Sequence, residues 1–170
     1  IDILVDAALK VLPKHPKATV IICGEVQIED KSYKNNMLRK ITDANLEDRI
    51  LFLGKKPFED LPKLFQGMSV VAALSRNEGY GLTPLEGMAS GAAVLTSSEG
   101  VWDELVRDGI DGYVVKTNDV FQTSERLNTL IENSSKTKIM GKNAAKYILE
   151  NFSVEKEAEQ IIKHIRDVQN

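Results

Sequence analysis

The sequence predicts an α/β fold, a parallel sheet with helices on both of its faces. Short apolar runs at 18–23, 70–74 and 92–96 alternate with segments of helical period, and most connections between them are short. The runs are unbroken rather than alternating, as strands buried on two faces are. A length of 170 residues with 42% hydrophobic and 28% charged composition suits one domain with a full-sized core.

Each element follows from local chemistry. Ile1, Leu4, Val5, Ala8, Leu9 and Leu12 repeat at helical spacing, and Pro13 closes that helix. His15-Pro16 turns the chain into a strand from Ala18 to Cys23, stopped by Gly24. A helix over 32–45 carries Met37, Leu38, Ile41 and Ala44 on one face; Arg49 to Leu53 is a second strand, ending at Gly54 before a lysine-bearing loop. Asp60 is the expected cap of a short helix with Leu61, Leu64 and Phe65 inward, and Val70 to Leu74 is the third strand. Thr83 is a good N-cap, Pro84 suits the first helical position, and Glu86 three residues on completes a capping box; Gly91 ends this helix. Ala92 to Thr96 is a strand, Ser97 to Gly100 a turn, Val101 to Arg107 a helix with Trp102 in the core, and Gly112 to Val115 the last strand. From Asn118 the chain is helical in three pieces, broken near 133–135 and 151–153. The final piece carries Ala158, Ile161, Ile162, Ile165 and Val168 along one face and is expected to pack on a domain.

The totals exclude several functions. A net charge of −3 without a basic stripe argues against a nucleic-acid partner. The single cysteine, Cys23, allows no internal disulfide and reads as a buried thiol in a reducing compartment. No run approaches the ~20 apolar residues that span a bilayer. His15 and His164 have no cysteine, histidine or carboxylate cluster nearby in sequence, so neither a metal site nor a histidine base is expected. The chain starts at Ile1, in the middle of a helical pattern, and reads as a piece of a longer protein.

A parallel sheet binds ligands at the carboxyl ends of its strands. Four loops fall there: Gly24 to Asp30, Gly54 to Glu59, Ser75 to Leu82, and Ser97 to Gly100. The third is the most informative, since Glu78 and Glu86 bracket Gly79, Gly81 and the start of a helix. Glycines there let a ligand approach the main chain, and free amides at a helix start favour a phosphate. A carboxylate at Glu78 is costly between a buried strand and two glycines unless it bonds something. Glu86 needs no ligand if it only completes the cap. Gly24 lacks the second and third glycines of a dinucleotide fingerprint, and Lys55 and Lys56 could draw an anion or simply face solvent.

Glu78 through Glu86 resembles the glutamate, seven residues, glutamate signature of retaining glycosyltransferases of family 4. The likeness extends through Met88-Ala89-Ser90-Gly91, Val94, Glu104, Asp108-Gly109 and Gly112. Leu4 to Leu12, Ile21 to Gly24 and Leu51 to Gly54 look like that family's preceding helix and strand ends, so nearly the whole chain is covered. Within the family, Ser75 through Glu86 is most similar to mannosyltransferases of bacterial lipopolysaccharide core assembly. The resemblance implies a GT-B enzyme of two Rossmann-like domains, this chain being the carboxyl-terminal one that binds a GDP- or UDP-linked sugar.

In that scheme Glu78, the catalytic candidate, would hydrogen-bond the donor sugar beside the backbone of Tyr80 and Gly81. The Leu82 and Thr83 amides would hold the diphosphate, Glu86 the ribose, and Gly24, Lys55 and Lys56 would border the nucleotide. The resemblance further implies no metal or other cofactor, and a glycan or glycolipid acceptor bound by an amino-terminal domain. A cytoplasmic location, peripheral to the inner membrane face in the full-length protein, goes with it. An arginine and a lysine that grip the diphosphate precede the position of Ile1 in that family. Glu99-Gly100 stands where the family often has two glycines, and Ala93 where it often has proline. Alternatives are an epimerase or phosphorylase on the same scaffold, or a non-catalytic nucleotide-sugar-binding domain.

Overall fold

The computed structural model describes residues 1–24 and 31–168; most of the loop expected after the first strand, 25–30, lies outside them. Strands β1 (Val20–Cys23) and β2 (Ile50–Gly54) pair in parallel. Strands β3 (Val70–Ala73), β4 (Ala93–Ser97) and β5 (Gly112–Val115) form a second parallel sheet in that order. The helices are α1 (Asp2–Val11), α2 (Lys31–Asp43), α3 (Leu61–Gln66), α4 (Thr83–Ala89), α5 (Trp102–Leu105), α6 (Val120–Glu132), α7 (Ser134–Asn151) and α8 (Val154–Val168). The α/β class and the parallel strands are as expected, and so are the three carboxyl-terminal helical pieces. Among the described residues these strands form two hydrogen-bonded groups, with no ladder joining β1 to β3.

Packing through α1 holds the two sheets together. Val5 and Ala8, with Leu12 just past its end, pack against Ile22, Met37, Ile41, Leu46 and Ile50. Ala7 and Val11 pack instead with Ala93, Leu95, Tyr113, Val115 and Leu127. The stripe read from sequence captured one flank of this helix. Ile3, Ala7 and Val11 are also buried, whereas Ile1 is exposed and Leu4 and Leu9 are half-buried. A helix wedged between two sheets needs apolar residues over more of its circumference than a surface helix does.

The second sheet is covered on both faces, as its unbroken apolar strands require. Ala93 and Leu95 face the α1 side, while Val94 joins Val71, Met88, Trp102, Val106, Ala144 and Ile148 on the other. Three glycines set close approaches. A Cβ on Gly87 would lie 2.8 Å from the Val71 side chain, on Gly112 1.9 Å from the Val94 carbonyl oxygen, and on Gly141 2.0 Å from the Gly91 carbonyl oxygen. Gly91 ends α4 as expected: at φ +85° its amide bonds Met88 O, and the Ala92 amide bonds Gly87 O.

Several local expectations are corrected. Helix α4 begins one residue earlier than a Thr83 cap allows, with Leu82 at the cap position already near helical angles (φ −91°, ψ −20°) and no side-chain cap bond. The capping box is therefore absent. Asp60 likewise makes no cap bond, since the chain enters α3 through a 3-10 turn, Phe58–Asp60, that already satisfies helical geometry. Helix α5 is shorter than expected because Val106 is extended. The Arg107 guanidinium forks onto the buried Asp111 carboxylate (2.7 and 2.6 Å). Leu38 on α2 and Ala44 just past its end are exposed, and Cys23 is half-buried. Helix α8 is not covered by the described residues: Ile161, Ile162 and Ile165 are each about half exposed (53%, 50% and 52%). None of the helices searched is long and apolar enough to cross a membrane.

The Gly112 contact gives a stability test. Gly112→Ala should force the β4–β5 ladder apart and cost on the order of 3 kcal/mol. Gly79→Ala, whose Cβ meets nothing, should stay within about 0.5 kcal/mol of wild type. Urea denaturation of the two variants measures both.

Candidate functional site

The loop leaving β3 is pinned from below by the end of β4. Ser97, buried in β4, donates its hydroxyl to the Ser75 carbonyl oxygen (2.7 Å), and the Ser75 hydroxyl donates to Glu78 Oε2 (3.1 Å). Glu78 is thus half-buried and held through one carboxylate oxygen. Two glycines close around it. Gly81 takes φ +46°, and a Cβ there would lie 2.8 Å from Glu78 Cδ. Gly100, at φ +64° in the loop after β4, passes so close under Glu78 and Gly79 that a Cβ would be 2.6 and 2.5 Å from their carbonyl oxygens. Neither position accepts a larger residue without moving the carboxylate or its backbone.

Beyond Glu78 the surface opens. Tyr80 and Leu82 are exposed large side chains, Thr83 is exposed, and no protein acceptor among the described residues takes the Leu82 or Thr83 amide. Glu86 lies in the first turn of α4, half-buried. No hydrogen bond or ion pair engages its carboxylate among the described residues. With no capping box, local structure does not explain that carboxylate. The arrangement offers hydrogen-bond acceptors at Glu78 and Glu86 and two main-chain donors between them, which suits a ligand carrying hydroxyls at both ends of an anionic centre.

Gly24, Lys55 and Lys56 gather separately at the ends of β1 and β2. The Gly24 amide donates to Gly54 O (3.0 Å), and both glycines have positive φ. Lys55 is exposed and Lys56 half-buried. No hydrogen bond or ion pair joins this group to the Glu78 loop among the described residues. The amino-terminal end of α1 instead ties the β3 loop to α2. Asp2 accepts both arms of the Arg76 guanidinium (2.9 and 2.6 Å) from the β3 loop, and the Tyr33 hydroxyl (3.0 Å) from α2. Arg76 Nε also donates to Asn118 Oδ1 (2.6 Å), beyond β5.

Sequence reasoning assigned no role to Asp2, Tyr33, Arg76, Asn118 or Ser97, because their partners lie 22 to 74 residues away in the chain and no local spacing encodes them. His15 bonds Asn128 Oδ1 (2.8 Å), a structural partnership, and none of the described residues forms a metal-ligating cluster.

Residues 1–147 match the model of the family described as glycosyl transferases group 1. The chain is 36% identical over 160 residues to the lipopolysaccharide core biosynthesis mannosyltransferase LpcC of Rhizobium leguminosarum, covering 94% of this chain and 45% of that protein. Among solved structures it is similar to the C-terminal domain of the glycosyl transferase group 1 family protein LpcC from Francisella tularensis. That match has a TM-score of 0.85 and 28% identity, over 89% of this chain and 78% of that one. It is also similar to Anabaena HepE in complex with UDP, with a TM-score of 0.87 and 28% identity, over 98% of this chain and 44% of that one. The chain spans about half the length of the curated relatives it matches.

The Asp2 network carries a pH signature. Arg76 first, then the Tyr33 hydroxyl, hold the Asp2 carboxyl well below the usual carboxylate range against the opposing effect of burial. A folded-state value depressed below the unfolded one gives stability that is present above the unfolded value of about 4 and is lost as pH falls. Denaturant midpoints of wild type and Asp2→Asn should therefore differ near neutral pH and converge steadily below about pH 4.

Proposed function

The chain belongs to the glycosyl transferases group 1 family, and on that footing we propose that it is the carboxyl-terminal, nucleotide-sugar-binding domain of a longer retaining glycosyltransferase. The observation that carries the proposal is the pair of carboxylates, Glu78 anchored through one oxygen and Glu86 without a partner among the described residues, on either side of the Leu82 and Thr83 amides, which no described acceptor takes. The relatives' naming as core mannosyltransferases favours a hexose, with mannose from GDP-mannose as the first donor to test, and a lipopolysaccharide or related glycan as acceptor. The acceptor would be held by a preceding domain. Cytoplasmic action, peripheral to the inner membrane face, accompanies this reading.

The residues divide the work by chemistry. Glu78 Oε2 is occupied by Ser75, which leaves the other carboxylate oxygen to accept from sugar hydroxyls and to fix the ring's orientation. Glu86 accepts from the ribose hydroxyls. The amides of Leu82 and Thr83 donate to the diphosphate, with Tyr80 and Gly81 lining the sugar side, and Gly24, Lys55 and Lys56 border the base and the pocket mouth. As the glycosidic bond to the diphosphate breaks, negative charge grows on the leaving oxygen. Main-chain donors and an upstream basic pair stabilise that charge without a metal ion. Neither carboxylate acts as a nucleophile, so the pair differs in role from the acid and nucleophile of a glycoside hydrolase.

The proposal is tested by calorimetric titration of this chain with GDP and UDP, and by assay of the full-length protein with several nucleotide sugars. Glu86→Ala should weaken nucleotide binding about 10- to 100-fold, the loss of hydrogen bonds to a charged group. It should leave the melting temperature nearly unchanged, because no cap is lost. Glu78→Gln should lower transfer by about 10- to 100-fold with nucleoside diphosphate affinity retained. Absence of any transfer or hydrolysis by the full-length protein, together with no binding of either nucleotide, would sink the proposal.

A further inference from the structure

Arg76 lies two residues before Glu78 and is the one arginine of the 75–83 loop, yet it does not extend toward the open surface above Leu82 and Thr83. Both arms of its guanidinium end on Asp2, at 2.9 and 2.6 Å, and its Nε ends on Asn118 Oδ1 at 2.6 Å. Its charge is thereby matched by one carboxylate. Asp2 is itself oriented by the Tyr33 hydroxyl at 3.0 Å, while the Asp2 amide donates back to that hydroxyl at 3.2 Å. Asn118 holds a left-handed backbone (φ +64°) at the turn between β5 and α6. One planar group thus ties the β3 loop to α1, to α2 and to the loop after β5. A fork of this geometry is specific to arginine, since an ammonium cannot make the two parallel bonds and a third bond in the same plane.

We propose that Arg76 is a positioning residue for the donor sugar, held by Asp2 and Asn118 so that the neighbouring Glu78 is fixed where the sugar hydroxyls must meet it. The inference rests on the donor-site reading above. Ser75 anchors the loop on one side of Arg76, through its carbonyl to Ser97 and its hydroxyl to Glu78, and the guanidinium anchors it on the other. Gly100 limits movement of the Glu78 and Gly79 backbone from beneath. With Arg76 released, the segment from Arg76 to Gly79 keeps, among the described residues, the Ser75 anchor and the glycine contacts. Glu78 then samples orientations in which its free oxygen misses the sugar. The nucleotide's diphosphate, met by the Leu82 and Thr83 amides, is insensitive to this change.

The test uses the full-length protein and compares affinity for a free nucleoside diphosphate with kcat/KM for the corresponding nucleotide sugar. Arg76→Lys and Asp2→Asn should each lower kcat/KM about 10- to 100-fold while diphosphate affinity stays within about twofold. The double variant should be no worse than either single one, because both remove the same clamp. Asn118→Ala, which spares the ion pair, should give a smaller loss in the same direction.

Equal losses for diphosphate and nucleotide sugar in Arg76→Lys would overturn the inference in favour of direct phosphate contact, and so would tighter diphosphate binding by Asp2→Asn. Lower melting temperatures with unchanged kinetics would overturn it as mere structural support. Glu78→Gln, measured alongside, separates the two levels. If Glu78→Gln impairs transfer and Arg76→Lys does not, the positioning role alone falls; if Glu78→Gln has no effect, the donor-site reading falls and this inference with it.

Discussion

Helix α1 is the element on which the rest of the structure depends. It is buried on two flanks, Val5 and Ala8 against the β1–β2 sheet and Ala7 and Val11 against the β3–β4–β5 sheet, and no hydrogen-bonded ladder joins those sheets among the described residues. Alanines at 7 and 8, both fully buried, let the helix sit close to both. Each of its larger buried side chains contributes roughly 1.5–3 kcal/mol by leaving water. Packing is non-directional, however, and would tolerate small rotations of one sheet against the other. The directional constraint comes from the helix's first residue, whose carboxylate is bonded to Arg76 and Tyr33 at once.

That constraint reaches the candidate site through a short path. Asp2 holds Arg76, and the loop that carries Arg76 carries Glu78 two residues later. Ser97 and Gly100, from the next strand and its loop, complete the support. Each contact is a hydrogen bond or a backbone approach with little freedom, so the loop is shaped before any ligand arrives. The groups left over are the ones that suit a ligand: a carboxylate oxygen on Glu78, the Glu86 carboxylate, and two main-chain amides. Polar groups that the fold itself does not consume are where chemistry is available.

Family membership and solved relatives supply the class of molecule, while this chain's own contacts explain how the site is held. The opposite end of the second sheet shows the contrasting case. There Arg107 and Asp111 consume one another, with Arg107 also stacked over Tyr147 at 4.3 Å, and the result is a structural clasp. Half-exposed isoleucines on α8 are a third situation, an apolar face with no cover in the described chain.

How much was legible in the sequence follows from the range of each interaction. Unbroken apolar runs and helical repeats depend on neighbours within a few residues, so strand and helix identities, the Gly91 stop and the buried Trp102 were all readable from spacing. The glutamate pair and its glycines were readable for the same reason, because the motif is contiguous. Three features were not. The Thr83 capping box failed because the incoming loop already held helical angles at Leu82. The second buried flank of α1 depends on which strands become its neighbours. The Asp2–Arg76–Asn118 clamp joins residues that only the closed fold brings within 3 Å. The sequence by itself determined the elements and the chemistry of the motif, since both are short-range; the tertiary structure alone decided what holds that motif in place, since those bonds exist only after distant segments have packed.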